Sequence, residues 1–326
     1  MYTIKTMKRV AVLRGGPSSE YEVSLRSGAA VLAALRELDY EYKDITITKS
    51  GEWLESGIVR SPEKALEAVD VVFIALHGEF GEDGQVQRII QRLKLPFTGS
   101  NAFSSAVAFN KELTKETLRD HDIKMAKHRR VNRQGTPNLS SEVEIIVSEL
   151  GSELFIKPVG AGSSVGARYI PHADALYTAL KELLPEHETL LVEEFIRGRE
   201  ATVGILQNYR DQDIYVLPSI EIVPPGGSPF FSYEVKYNGT TQEICPGRFS
   251  YEEKSKLSDA ATIVHKALHC EHYSRSDFVV KDGDVYFLEI NTLPGLTSES
   301  LFPKAAQAVG LDFKRLVQHL VETSKQ

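Results

Sequence analysis

Asp277-Phe278-Val279-Val280-Lys281-Asp282-Gly283-Asp284-Val285-Tyr286-Phe287-Leu288-Glu289-Ile290-Asn291 reads as a β-hairpin. Asp282-Gly283 is a strong two-residue turn signal, and the runs on either side are β-branched and aromatic. A turn centred there sets Asp277 opposite Glu289, within about one residue of register. Alternation with period two puts Phe287, Glu289 and Asn291 on one face and Tyr286, Leu288 and Ile290 on the other. Two carboxylates facing each other repel unless a cation lies between them or one is protonated. Oxygen-only donors suit Mg²⁺, which commonly takes one or two carboxylates and completes its shell with phosphate oxygens. Arg275 precedes Asp277 by two residues and shares its face, which suits an anionic substrate. The plainer alternative is a solvated strand face with an incidental acidic pair.

Working outward, Gly160-Ala161-Gly162-Ser163-Ser164-Val165-Gly166 lies between two short strand-like runs, Leu154–Lys157 and Val165–Ile170. It misses G-x-G-x-x-G by one residue and leads into a β-branched stretch instead of a helix, so a dinucleotide-binding turn is excluded. A strand–glycine loop–strand unit can still cover phosphates with backbone N–H groups, with Lys157 in reach of them. The first third of the chain alternates strand and helix. Strands are expected at Arg9–Leu13, Asp44–Thr48 and Val69–Leu76, with helices at Ser24–Leu38, Glu63–Ala68 and Gln85–Leu93. That order implies a parallel sheet with ligands at the strands' carboxyl ends, where Gly15-Gly16 and His77-Gly78 fall. Further on, helices are expected at Ser104–His121, Ser140–Leu150 and Glu252–Cys270. Thr189–Phe195 and Glu200–Leu206 read as a strand pair joined across Gly198, and Tyr215–Val223 as one strand. Pro224–Phe249 is a long irregular stretch, the kind that is usually functional or disordered.

The chain has 326 residues, 38 Lys+Arg and 45 Asp+Glu, for a net charge of -7, with 42% hydrophobic and 25% charged residues. This suits a globular protein of two or three domains and argues against a general nucleic-acid binder. Cys245 and Cys270 follow no C-x-x-C spacing, so a disulfide framework and structural zinc are not expected and a reducing, cytoplasmic setting is. No signal-peptide core or membrane span is expected. Residues 1–6 read as a loose extension before a start at Met7.

Five segments, in order, resemble the D-alanine–D-alanine ligase family of the ATP-grasp superfamily. They are Gly15-Gly16-Pro17-Ser18-Ser19-Glu20-Tyr21-Glu22-Val23-Ser24-Leu25; Ala75-Leu76-His77-Gly78 with Gly81-Glu82-Asp83-Gly84; Lys157-Pro158 with Gly162-Ser163-Ser164-Val165-Gly166; Glu234-Val235-Lys236-Tyr237 with Thr241-Gln242; and Leu288 to Ser300. The resemblance implies an α/β fold, α+β in its ATP-grasp part. An N-terminal parallel-sheet preATP-grasp domain (1–103) would precede a central ATP-grasp subdomain (104–190) and a C-terminal one (191–326), with a lid over 224–248. It implies ATP as co-substrate, two Mg²⁺ ions or Mn²⁺ on Asp277, Glu289 and Asn291, no nucleic-acid or membrane partner, and a homodimer.

Residue by residue, Glu20 matches the carboxylate holding the first D-alanine's ammonium, and His77 a histidine beside that substrate. Without the resemblance, Glu20 reads equally as a helix N-terminal acid favoured by the macrodipole. Lys111 and Lys157 match lysines on the ATP phosphates, and Ser163 and Ser164 lie in the loop covering them. Glu193, Glu194, Phe195 and Ile196 match the adenine-binding segment, and Glu200 the ribose-binding carboxylate. Arg275 and the Gly295 N–H match groups around the reacting carbonyl. Lys236 and Ser300 match positions near the second substrate's carboxylate. Glu20, Ser163 and Tyr237 match a hydrogen-bonded link between lids and N-terminal domain. Tyr237 favours an amine over a hydroxyl nucleophile, since relatives forming D-alanyl-D-lactate lack a tyrosine there. The alternatives are such a depsipeptide ligase, another ATP-grasp carboxylate–amine ligase, or a catalytically silent nucleotide-binding regulator.

Overall fold

The computed structural model describes residues 8–136, 138–160, 162, 166–225 and 241–324. The first strand, β1 (Arg9–Gly15), lies between two parallel partners, β2 (Glu41–Ile47) and β5 (Val71–Ile74). Val10 to Leu13 and Val71 to Ile74 are buried runs, as expected of strands covered on both faces. The sheet is not wholly parallel. Trp53–Glu55 (β3) and Ile58–Arg60 (β4) form an antiparallel hairpin, unexpected from the sequence, and the order is β4-β3-β2-β1-β5. Helix α1 (Tyr21–Glu37) begins three residues before its expected start and packs on β1. Short α2 (Pro62–Ala65) has Ser61 as its N-cap, and α3 (Gln85–Arg92) follows β5.

The helix expected over Ser104–His121 is two, α4 (Ala102–Phe109) and α5 (Lys111–Leu118). Asn110 breaks it: its backbone is extended and its side chain accepts from the Glu112 and Leu113 N–H groups. After β6 (Lys124–Met125) and β7 (His128–Asn132) come α6 (Leu139–Leu150), β8 (Leu154–Pro158), β9 (Arg168–Ile170), α7 (Ala173–Leu183) and β10 (Thr189–Glu194). These strands, β6 excepted, make an antiparallel sheet of order β7-β10-β8-β9. Ile146 of α6 and Leu176, Leu180 and Leu183 of α7 pack with Ile156 and Leu190 in its core.

The third sheet runs β14 (Gln242–Ile244), β13 (Ile220–Val223), β11 (Arg199–Tyr209), β15 (Tyr273–Lys281), β16 (Asp284–Asn291), β6, with β12 (Gln212–Val216) also on β11. The strand expected over Tyr215–Val223 is therefore β12 and β13. The strand pair expected across Gly198 does not form either: β10 pairs with β7 and β8, whereas β11 pairs with β12, β13 and β15. Gly198 carries the chain from one sheet to the other so close to β15 that a Cβ would meet the Val280 carbonyl oxygen at 2.4 Å. A domain boundary at 190/191 would cut β10; strand pairing favours one after Glu194.

Helix α8 (Tyr251–Ala267), opened by a Ser250–Glu253 capping box, covers the third sheet. Helices α9 (Leu301–Ala308) and α10 (Phe313–Thr323) return to the first sheet, where Leu316, Val317, Leu320 and Val321 join its core. The N-terminal layer and the chain's end thus share one core. No helix among the described residues is long and apolar enough to cross a membrane. The expected extension (1–6), Ser163, Ser164, Lys236, Tyr237 and most of the 224–248 lid lie outside the described residues.

Candidate active site

The β15–β16 turn has Asp282 at φ 52 and Gly283 at φ 78, the left-handed pair that a two-residue hairpin needs. Asp277 stands opposite Glu289 and Arg275 opposite Asn291. A bulge between Asp277 and Phe278 pairs Phe278 with Phe287 and leaves Leu288 over. The extra residue reverses the expected alternation: Phe287, expected beside Glu289, is buried with Val285 and Ile290 under α8. Glu289 and Asn291 stay on the half-buried side.

Arg275 grips Asp277 with both fork nitrogens, Nε to Oδ1 at 2.9 Å and Nη2 to Oδ2 at 2.8 Å. Thr202 Oγ1 donates to the same Oδ1 at 2.6 Å. Burial would weaken the Arg275 charge, but Asp277 outweighs it and raises the guanidinium's pKa. Lys111 Nζ lies 3.7 Å from Glu289 Oε2. Among the described residues no three His, Cys, Asp or Glu side chains gather as a metal cage. Asp277 and Glu289 face each other in register and Asn291 stands opposite Arg275, oxygen donors of the kind that Mg²⁺ completes with substrate phosphates.

Lys157 is the penultimate residue of β8, and the Lys111 N–H donates to Val159 O at 3.0 Å, which ties α5 to the same strand end. Lys157 Nζ lies 2.8 Å from Glu193 Oε2, and Lys115 Nζ lies 2.8 Å from Glu193 Oε1. Burial would raise the Glu193 carboxyl, but the two lysines outweigh it and hold it at about 2. Lys157 is held charged against its burial by Glu193, then Glu289. Both oxygens of Glu193 thus lie at ion-pair distance from a lysine, while buried Oε1 makes no hydrogen bond among the described residues. Glu194 Oε1 accepts from the Lys127 N–H at 2.8 Å, and the Phe195 ring sits 4.6 Å from that of Tyr169. Glu193 to Ile196 bridge the second sheet to the third, where Glu200 is the second residue of β11. Lys115 carried no signal in the sequence.

Across the crevice, Gly15 and Gly16 turn the chain out of β1 at φ 89 and 97, and a Cβ on Gly15 would meet Ile47 O at 2.3 Å. The turn delivers Glu20, which is buried at the start of α1 and makes no side-chain cap. Glu20 is the N-cap residue of α1, so the macrodipole reading of a helix N-terminal acid stands beside the substrate-binding one. Its Oε2 lies where a Cβ on Gly78 would be 2.9 Å away and one on Gly162 3.0 Å away. Buried His77 pairs Nε2 with Ser27 Oγ at 2.8 Å and Nδ1 with Leu293 O at 3.1 Å. Burial lowers its pKa, so the ring is neutral, with Nδ1–H donating to the carbonyl. Ser300 Oγ accepts from the Thr297 N–H at 3.0 Å and would lie 2.8 Å from a Cβ on Gly295. A cavity of about 480 Å³ lies between the Gly15 turn and the glycine loop, lined by Ser18, Glu20, Gly78, Asn110, Gly160 and Thr189.

Glu82 is the second residue that sequence reasoning passed over, although it stands in a quoted segment. It is buried, accepts from the Gly78 N–H at 3.0 Å and lies 3.9 Å from His77 Nδ1. Burial first, then the Glu20 charge, pushes its carboxyl up to about 8. Starting from 4.5, the folded protein therefore holds this proton more tightly than the unfolded chain, and stability falls as pH rises from 4.5 towards 8. Glu82→Gln removes that slope. Between pH 5.5 and 8.5 the wild-type Tm is expected to drop on the order of several degrees further than that of the variant. Equal drops would show Glu82 already ionised in the fold.

Two models described as D-ala D-ala ligase match this chain, the N-terminus over residues 9–67 and 55–100 and the C-terminus over 117–322. The D-alanine–D-alanine ligase of Aquifex aeolicus is 38% identical over 96% of this chain and 99% of its own length. The crystal structure of the Bacillus anthracis D-alanine–D-alanine ligase complexed with ATP superposes with a TM-score of 0.79 at 30% identity, covering 97% of both chains. The VanG D-Ala:D-Ser ligase of Enterococcus faecalis does so at 0.83 and 31%, covering 97% and 99%.

Proposed function

This chain belongs to the D-alanine–D-alanine ligase family, and we propose that it joins two D-alanines at the expense of ATP, releasing ADP and phosphate, in peptidoglycan precursor synthesis. The observation that carries this reading is the meeting of three groups in one crevice: the Asp277–Glu289 hairpin, the phosphate-side lysines Lys111 and Lys157, and the buried Glu20–His77 pair. Lys157 feels both Glu289 and Asp277, and Glu82 feels Glu20, Arg275 and Glu289, so the three lie within electrostatic range of one another.

A carboxylate is a poor electrophile, and phosphorylation gives it a leaving group. In the proposed sequence Glu20 holds the ammonium of the first D-alanine while its carboxylate attacks the γ-phosphate, forming an acyl phosphate and ADP. The amine of the second D-alanine then attacks the acyl carbon, with Arg275 and the Gly295 N–H stabilising the oxyanion and phosphate leaving. Lys111 and Lys157 hold the phosphates in line, and Glu193 to Ile196 with Glu200 receive the nucleoside. Asp277, Glu289 and Asn291 would hold Mg²⁺, which when bound neutralises charge developing on the transferred phosphoryl group. His77, neutral and fixed at both ring nitrogens, locks the first substrate's wall to the Leu293–Ser300 loop. Ser163, Ser164, Lys236 and Tyr237 keep their roles from the resemblance, including the preference for D-alanine over D-lactate. Three units, 8–103, 104–194 and 195–326, a homodimer and a cytoplasmic setting complete the proposal. The unbonded thiols of Cys245 and Cys270 support that setting.

The test is ADP release with purified protein, ATP and Mg²⁺, with and without D-alanine. Release that depends on D-alanine and matches dipeptide formation is expected. ATP turnover indifferent to D-alanine would overturn the reading.

A further inference from the structure

Helix α5 carries two lysines one turn apart that serve different partners. Lys111 faces Glu289 of the hairpin, while Lys115 is buried against Glu193 of the second sheet and also donates to Ala126 O at 3.3 Å. Lys115, Glu193 and Lys157 form a row in which one carboxylate is shared by two ammonium groups, each 2.8 Å away through a different oxygen. With both ammonium groups charged the row stands at +1; burial pulls the Lys115 pKa below its usual value, and Glu193 opposes that. Without Lys115, Glu193 and Lys157 would be a neutral one-to-one pair, and Lys157 would have its charge cancelled by a buried neighbour.

We propose that Lys115 is a positioning residue for nucleotide binding: it neutralises Glu193 from behind, so that Lys157 presents a net positive charge to the ATP phosphates. This rests on the ATP-dependent reading above. Lys115 itself is buried at the far oxygen of Glu193 and touches no substrate. The arrangement also fixes the Lys157 ammonium in place before the nucleotide arrives, because Glu193 is anchored from both sides.

The experiment compares steady-state constants and MgATP affinity in wild type, Lys115→Met and Lys115→Arg. In Lys115→Met, the KM for ATP is expected to rise roughly 10- to 100-fold, the loss of one charge-assisted interaction. kcat should stay within about threefold and the KM for D-alanine should not move. Lys115→Arg keeps the positive charge behind Glu193 and should regain at least about tenfold of the lost ATP affinity. A merely structural ion pair predicts the opposite pattern: lower Tm and no selective change in ATP. An unchanged KM for ATP in folded Lys115→Met, or no recovery in folded Lys115→Arg, overturns the proposal. Should Lys115→Met fail to fold, Lys115→Gln takes its place, and an unchanged KM for ATP there overturns the proposal as well. Wild type lacking D-alanine-dependent ADP release would instead overturn the ligase reading.

Discussion

Asp277→Asn and Glu289→Gln are each expected to lower ligation by roughly 10³-fold or more, equivalent to about 4 kcal/mol of transition-state stabilisation. The two carboxylates stand in register on adjacent strands, and each faces a cation, Arg275 or Lys111. Their effects on the fold should differ. Asp277 accepts three hydrogen bonds, two from Arg275 and one from Thr202, so its amide leaves a half-buried guanidinium with a poorer acceptor. Glu289 lies 3.7 Å from Lys111, and its neutralisation relieves repulsion with Asp277. Thermal melting without ligand should therefore fall more in Asp277→Asn than in Glu289→Gln, while ligation collapses in both. Activity within about tenfold of wild type at saturating Mg²⁺, in either variant, would remove the hairpin from the chemistry.

What the sequence made legible was local. Asp282-Gly283 announced its turn, and from the turn the Asp277–Glu289 register followed by counting. The bulge at Leu288 was not legible, because one extra residue leaves the apolar pattern intact while reversing which side chains face the core. Gly198 misled for a related reason. Two strand-like runs around one glycine read as a hairpin, whereas the chain there passes between sheets, and only the approach to Val280 O shows why glycine is needed. The Trp53–Arg60 hairpin carried a Ser56-Gly57 turn signal that went unused. Lys115 and Glu82 lay beyond reach altogether. Each takes its meaning from a partner that folding supplies, Glu193 on another sheet and the Glu20–His77 pair across the crevice. A lysine on an amphipathic helix gives no sign that it will be buried.

Arg275→Met should cut kcat by roughly 10²- to 10³-fold, the usual loss when one preorganised oxyanion donor is removed. The geometry explains why lysine cannot substitute. Arg275 is half-buried, and two of its nitrogens are committed to Asp277, which aims the planar fork and, in the proposed reaction, leaves its remaining N–H groups for the oxyanion. An ammonium would keep the charge but lose the aim, since its three donors are not held in a plane. Arg275→Lys is thus expected to stay at least about thirtyfold below wild type in kcat while melting within a few degrees of it. The KM for ATP should change far less than kcat, because in the proposed reaction Lys111 and Lys157 hold the phosphates. A residue that only supported Asp277 would predict another outcome, in which Arg275→Lys recovers most activity at raised Mg²⁺. Measuring kcat for both variants across a Mg²⁺ series separates the two roles. Recovery of Arg275→Lys to within about fivefold of wild type would leave Arg275 as a brace for the metal-side carboxylate and take the oxyanion contact away from it.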